Sequence, residues 1–245
     1  MASTIKLLDN ANQIITLLSE IESASHSVIT AEIGLPRSSV YRLVDGLAAI
    51  GLVRVDDAGI VRLSARWLHL ADAAHRSFPE WQHVIDRLET VSTRTGQTSF
   101  LSLPTAKGAA CIAWSPVKSL VLLSLRPGRL FSFNIGAAGR LLFAYASDDE
   151  RAGYLESCDF ATSTDRSITT PADLLADAEE IRELGWVLSN EDVNLGQAAV
   201  GVPAFSRSDR TLGCVSISGL TDDIVGHEHE LAAILQAEVA ASDAD

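Results

Sequence analysis

Positive charge is scarce in this 245-residue chain: 19 Lys and Arg stand against 32 Asp and Glu, a formal net charge of −13. Such acidity excludes a protein that coats nucleic acid with its whole surface. Cysteine is also sparse. Cys111, Cys158 and Cys214 are odd in number, far apart and without metal-ligand spacing, which fits free thiols in a reducing cytoplasm and predicts no bound metal. No apolar run reaches the length of a membrane span. The stretch MASTIKLLDN lacks a basic region followed by an apolar run, so no signal peptide is read there. A P-loop, GxGxxG or GxSxG in strand–helix context is missing too, and no cofactor is expected.

What is present suits a soluble globular protein, with 47% hydrophobic and 21% charged residues. The length allows one large domain or two small ones with a substantial core. The charge is unevenly spread. Residues 1–76 hold seven basic and eight acidic side chains, a net of −1, which leaves −12 for the rest. Fields are screened over about 10 Å at moderate salt. A near-neutral N-terminal part with local arginines is therefore compatible with phosphate binding.

Three short helical patterns open the chain. Ile5, Leu8, Ala11, Ile15 and Leu18 recur at helical spacing. A second helix is predicted over Val28 to Ile33, with Ser27 as N-cap and Gly34 as stop. The third starts with Pro36 in its first turn. Its Val40, Leu43, Val44 and Leu47 fall at i, i+3, i+4 and i+7, a buried stripe. Arg37, Ser38, Tyr41, Arg42 and Asp45 are left facing outward. Next, GLVRV and IVRL flank Asp-Asp-Ala-Gly, the pattern of a hairpin. Alternation puts Val53, Val55, Val61 and Leu63 on one face and Arg54 and Arg62 on the other. Two helices around a tight turn, followed by such a ribbon, make a winged helix-turn-helix.

Residues 65 to 77 read as a linking helix, with Trp67, Leu68 and Ala71 available for packing. A helix through WQHVIDRLETVS carries Trp81, Val84, Leu88 and Val91 on one face and stops at Gly96. Strands follow at TSFLSL, AACIAWS and LVLLSL. GAAGR opens a further helix through LLFAYAS, and Thr170-Pro171 caps one that ends near Gly185. AAVGVPAF and LGCVSISG are the last strands, and HEHELAAILQAEVAA is a closing helix. Mixed in this order, the elements predict an α+β domain around one mainly antiparallel sheet.

A recognition helix offers its N-terminal residues to base edges while the wing meets phosphates. Arg37, Ser38, Ser39, Tyr41 and Arg42 supply donors for the first task, and Arg54 and Arg62 for the second. A solvated surface helix is the competing reading; the preceding short helix and the following hairpin decide against it. Enzyme chemistry has less support. Ser216 and Ser218 alternate along one strand, so they share a face, but no histidine lies near enough in sequence to suggest a dyad. His227 and His229, at i and i+2 on a helix, diverge and make a poor metal pair. His69, His75 and His83 read as surface or linker residues.

The chain resembles the IclR family of bacterial transcriptional regulators over essentially its whole length. GLPRSSVYRLVDGLAAIGLVRV is similar to that family's helix-turn-helix and wing start. Thr95-Gly96, GAAGRLLFAYAS, the run from Gly185 to Phe205 and LGCVSISG fit its C-terminal part. The resemblance implies a winged helix-turn-helix at 1–64, a linker helix at 65–78, and a GAF-like effector-binding and oligomerisation domain at 79–245. It further implies dimers, often paired as tetramers, on palindromic double-stranded operators, with a small organic-acid effector. Carried over by position, the effector pocket comprises Ala137, Ala138, Gly139, Ser189, Ala199, Ser216 and Ser218. The first three would offer backbone N–H groups to an anionic ligand group. Ser189 and Ala199 stand where members that bind small keto acids place Asp and Cys, and Asp192 stands for the family's glutamate. That less polar wall points away from glyoxylate- or pyruvate-like ligands and towards a bulkier or more apolar acid, aromatic ones included. The expectation is a cytoplasmic regulator, more readily a repressor than an activator. A sensor acting through protein partners, or a hydrolase using Ser216 or Ser218, are the alternatives.

Overall fold

The structure is a computed structural model that describes residues 5–117, 127–157, 160–208 and 210–244. The strand expected at LVLLSL and Cys158 lie outside them. The chain forms two compact units, Met1–Ser77 and Phe78–Asp245.

In the first unit, α1 (Lys6–Ile21) is followed by the two-residue strand β1 (Ala24–Ser25), α2 (His26–Ile33) and α3 (Arg37–Ala49). The hairpin β2 (Val53–Val55) and β3 (Ile60–Leu63) precedes α4 (Arg66–His75). Ile14 and Leu18 anchor α1, whereas Ile5 and Leu8 at its start stay exposed. Ser25, not Ser27, caps α2, accepting from Val28 N–H at 3.3 Å. The reason is that Ser25 is still extended in β1, paired with Ile60 of β3, so the helix can begin only after it. Gly34 ends α2 at φ 71°, the left-handed region that glycine enters without strain. Pro36 proves to be the N-cap of α3 rather than part of its first turn.

The stripe Val40, Leu43, Val44 and Leu47 is buried as the periodicity predicts. It packs with Ile14, Leu18, Ile29 and Val61 in a single core. The hairpin pairs Val53 with Leu63 and Arg54 with Arg62, and β1 adds a third strand on the β3 side. Val55, expected on the packed face, is exposed. No residue of α4 is buried; Leu68 is 75% exposed. Only Trp67 tucks in, donating from Nε1 to Leu52 O at 2.7 Å.

The second unit begins with a 3-10 turn at Pro79–Trp81, α5 (Gln82–Ile85) and α6 (Leu88–Thr95). The single helix expected here is broken at Asp86–Arg87, where the N–H of Arg87 reaches Val84 O instead of continuing the i−4 ladder. Trp81, Val84, Leu88 and Val91 are nonetheless all buried. Then follow β4 (Thr98–Thr105), β5 (Gly108–Ser115), β6 (Leu130–Phe131), α7 (Gly136–Tyr145), α8 (Asp148–Ser157), α9 (Pro171–Leu184), β7 (Val187–Asn190), β8 (Gln197–Phe205), β9 (Leu212–Leu220), α10 (Thr221–Ile224) and α11 (Glu228–Ala244). The strands form one antiparallel sheet in the order β6-β5-β4-β9-β8-β7.

One sheet face packs Leu101, Val200, Val202, Val215 and Ile217 against Trp81, Leu88 and Leu235. A Cβ at Gly213 would sit 2.5 Å from the Trp81 ring, so the glycine admits the indole to the sheet. The opposite face carries α7 and α9, through Leu141, Leu142, Leu174, Ala178 and Ile181. His83, expected at the surface, is nearly buried, with Nε2 3.7 Å from Asp243 Oδ1. Between α6 and α11, Glu238 receives Arg94 at 2.5 Å.

Candidate nucleic-acid face and ligand pocket

The first unit presents a polar face on α3. Arg37, Ser38, Tyr41 and Arg42 are exposed there, and Ser39 is half-buried. Tyr41 stacks on His26, the first residue of α2, with ring centroids 4.1 Å apart. The Arg37 guanidinium lies 5.7 Å from the Tyr41 centroid on the same helix, within cation–π range. On the wing the two arginines differ. Arg62 reaches back to Asp56 at 2.5 Å, whereas Arg54 is exposed. Asp56 builds the turn. Its Oδ1 accepts from Ile60 N–H at 2.9 Å and Ala58 N–H at 3.1 Å. The Ile60 N–H first, and then the Arg62 guanidinium, hold its carboxyl below the usual range. Among the described residues neither Arg42 nor Arg54 has an ion-pair partner, whereas Arg62 does.

The second unit encloses a cavity of about 60 Å³ between one sheet face and the N-terminus of α7. On this measure one water occupies about 10–15 Å³, so there is room for roughly four to six waters or a small organic molecule. Ala137, Ala138, Gly139, Ser189, Ala199, Ser216 and Ser218, taken from distant parts of the chain, all line it. The register explains the strand residues. Ser218 pairs with Ala199 and Ala199 with Ser189, one row across β9, β8 and β7. Ser216 lies one row further, opposite Phe100 of β4. Phe100, Ser102, Phe131, Val193 and Asn194 are among the other residues that line it, and the sequence reading did not include them.

The polar groups of this pocket are unequally available. Ser189, a candidate ligand contact, donates its hydroxyl to Asp192 Oδ1. Ser218 donates to Ala198 O at 3.0 Å. Gly139 lines the cavity with Ala137 and Ala138 in the first turn of α7, where the first N–H groups of a helix lack an acceptor within it. What demands glycine at 139 is space, because a Cβ would run into the Ser132 carbonyl. The N–H of Gly136 is already taken by Asp192 Oδ2 at 3.0 Å.

Asp192 belongs to a buried network beneath the pocket. Arg140 of α7 donates to Asp192 Oδ2 at 3.3 Å, to Leu188 O at 2.9 Å and through Nε to Asp177 Oδ2 at 2.9 Å. Burial pulls the guanidinium's pKa down, but hydrogen bonds and charge from Asp177 and Asp192 outweigh it and hold the pKa above its ordinary value. The sequence hides this network, since Arg140 lies 37 residues from Asp177 and 52 from Asp192. Burial pushes the Cys111 thiol up to about 12 and Cys214 still higher, so neither is a nucleophile. Among the described residues no group of His, Cys, Asp and Glu side chains could hold a metal, and no helix is long and apolar enough to cross a membrane.

Profiles of two families match the chain: "Bacterial transcriptional regulator IclR C-terminal" over residues 82–244 and "IclR helix-turn-helix domain" over residues 7–57. The HTH-type transcriptional regulator XynR of Escherichia coli (strain K12) is 25% identical over 222 residues, which is 90% of this chain and 88% of that protein. Among solved structures, an IclR transcriptional regulator of Alicyclobacillus acidocaldarius superposes with a TM-score of 0.79 at 22% identity, covering 99% of each chain. An IclR homologue of Microbacterium hydrocarbonoxydans, solved in complex with 4-hydroxybenzoate, gives 0.72 at 18% identity over 96% of this chain and 100% of that one.

Proposed function

The chain belongs to the IclR family of bacterial transcriptional regulators, and from that premise we propose that a small organic acid in the second unit sets the DNA affinity of the first. Residues 1–64 read DNA, 65–78 link, and 79–245 bind the effector in a GAF-like domain and associate. Arg37, Ser38, Ser39, Tyr41 and Arg42 face the major groove, and Arg54 and Arg62 hold the flanking backbone. The protein works in the cytoplasm as a dimer or tetramer on a palindromic operator, as a repressor. The observation that carries the reading is the separation of two kinds of site. One unit has an exposed arginine-bearing helix face, and the other has a largely apolar cavity at a helix N-terminus.

The acid's carboxylate lies at the open N–H groups of Ala137 and Ala138, where the helix dipole favours an anion. Its body fills the space beside Phe100 and Ala199. The relative solved with 4-hydroxybenzoate supports a ligand of this size and type. Ligand binding acts by its different affinity for two arrangements of the associated chains, which alters the spacing of the recognition helices. A hydrolase reading gains nothing, because no histidine lines the cavity near Ser216 or Ser218. The test is a gel shift of the full chain on DNA from upstream of its own gene, repeated with a panel of organic acids. Specific retardation that one acid changes supports the reading; equal binding to unrelated DNA overturns it.

A further inference from the structure

Of the hydroxyls that line the cavity, two are committed within the protein: Ser189 to Asp192 and Ser218 to Ala198 O. Ser102 is not. It is 1% exposed, and its Oγ is buried with no hydrogen-bond partner among the described residues. A buried hydroxyl without a partner is unusual in a folded protein and calls for a cause. Its surroundings offer no substitute. Ser102 pairs across the sheet with Cys111 on one side and Cys214 on the other. Both thiols point to backbone carbonyls, Cys111 to Ala113 O at 3.4 Å and Cys214 to Val215 O at 3.7 Å.

The position of Ser102 is equally telling. It follows Phe100 on the same face of β4, one row, or about 7 Å, beyond the row that holds Ser216. Phe100 and Phe131 add aromatic side chains to the lining of the same cavity. A flat ring therefore fits the space, with its carboxylate at the start of α7 and a polar substituent at Ser102. We propose that Ser102 is a specificity-determining residue, whose hydroxyl binds a hydroxyl on the ligand's ring. The pocket thus selects hydroxylated aromatic monocarboxylates over unsubstituted ones. This inference rests on the reading of the cavity as the effector site.

Calorimetric titration of the full chain with benzoate, 3-hydroxybenzoate and 4-hydroxybenzoate tests it. The wild type is expected to bind one hydroxylated acid about tenfold more tightly than benzoate, the gain of one buried hydrogen bond. Ser102→Ala should lose that preference, binding the hydroxylated acid no more tightly than benzoate, and the near-isosteric Ser102→Cys should lose most of it. A preference that survives in Ser102→Ala, or no preference in the wild type, overturns the role of Ser102 while the effector site stands. If none of the three acids binds, the aromatic ligand class falls with it. Operator binding by the same preparation then shows independently whether the regulator reading survives.

Discussion

Tyr41 lies flat on His26, with ring centroids 4.1 Å apart and planes inclined by 12°. The stack joins the start of α2 to the outward face of α3. It fixes a side chain that would otherwise be a mobile surface tyrosine, and Arg37 borders the same ring. If this face meets DNA as proposed, a side chain preset in this way loses less conformational entropy on binding.

His26→Ala is therefore expected to lower stability by about 0.5–1.5 kcal/mol, the worth of an aromatic pair. Operator affinity should fall as well. Tyr41→Phe should keep the stability and Tyr41→Ala should not. Thermal melts beside fluorescence anisotropy on DNA separate the two effects.

On the wing, Arg54 and Arg62 should behave differently although the sequence treats them alike. Arg54→Ala removes an exposed cation, which should reduce the slope of log affinity against log salt by about 1 and leave the melt unchanged. Arg62→Ala also strips the turn of its partner for Asp56. Because that carboxyl is held below its usual range, its contribution is present at neutral pH and lost as pH falls through the lowered value. In Arg62→Ala this acid dependence should shrink, which melts at stepped pH will reveal.

Arg140 stands beneath the pocket between Asp177 and Asp192. Arg140→Met should cost about 3–5 kcal/mol, because it leaves the buried Asp192 and the half-buried Asp177 without their cation. The companion change Asp177→Leu in the same chain should recover part of that loss. Urea denaturation of the single and double variants is the check, and a neutral single variant would contradict the network's role.

Much of this architecture was legible in the sequence where one signal dominated. The stripe Val40, Leu43, Val44 and Leu47 and the pair Thr170-Pro171 fall where their periodicity and capping chemistry put them. The cap of α2 was missed by two residues because β1 is held extended by a strand 35 residues away, a tertiary constraint that local pattern does not carry. Seven pocket residues converge on one cavity, an outcome the family resemblance implied and spacing alone could not. Which hydroxyls are free was beyond reach. That Ser189 is committed and Ser102 is not depends on the Asp192 loop and on strand register, both fixed only by the folded sheet.

The two buried thiols give a pH prediction at the alkaline end. Cys111 is raised from an ordinary 9.0 to about 12, and Cys214 is raised further, both by burial. A raised thiol pKa contributes stability in full below about pH 9 and loses it as pH climbs towards 12. Stability should therefore decline through this range, and thiol reagents at pH 8 should label Cys111 and Cys214 only after denaturation. Rapid labelling of either in the native chain would contradict their burial.

Whether this acidic chain reads DNA with the first two turns of α3 is decided by fluorescence anisotropy of the full chain on its own upstream DNA between about 50 and 200 mM salt. Sequence-preferring binding that weakens steeply with salt is expected, and an Arg42→Ala variant that keeps its melt but binds more weakly with a shallower slope. Arg42→Ala binding as tightly as the wild type, with the same slope, would contradict it.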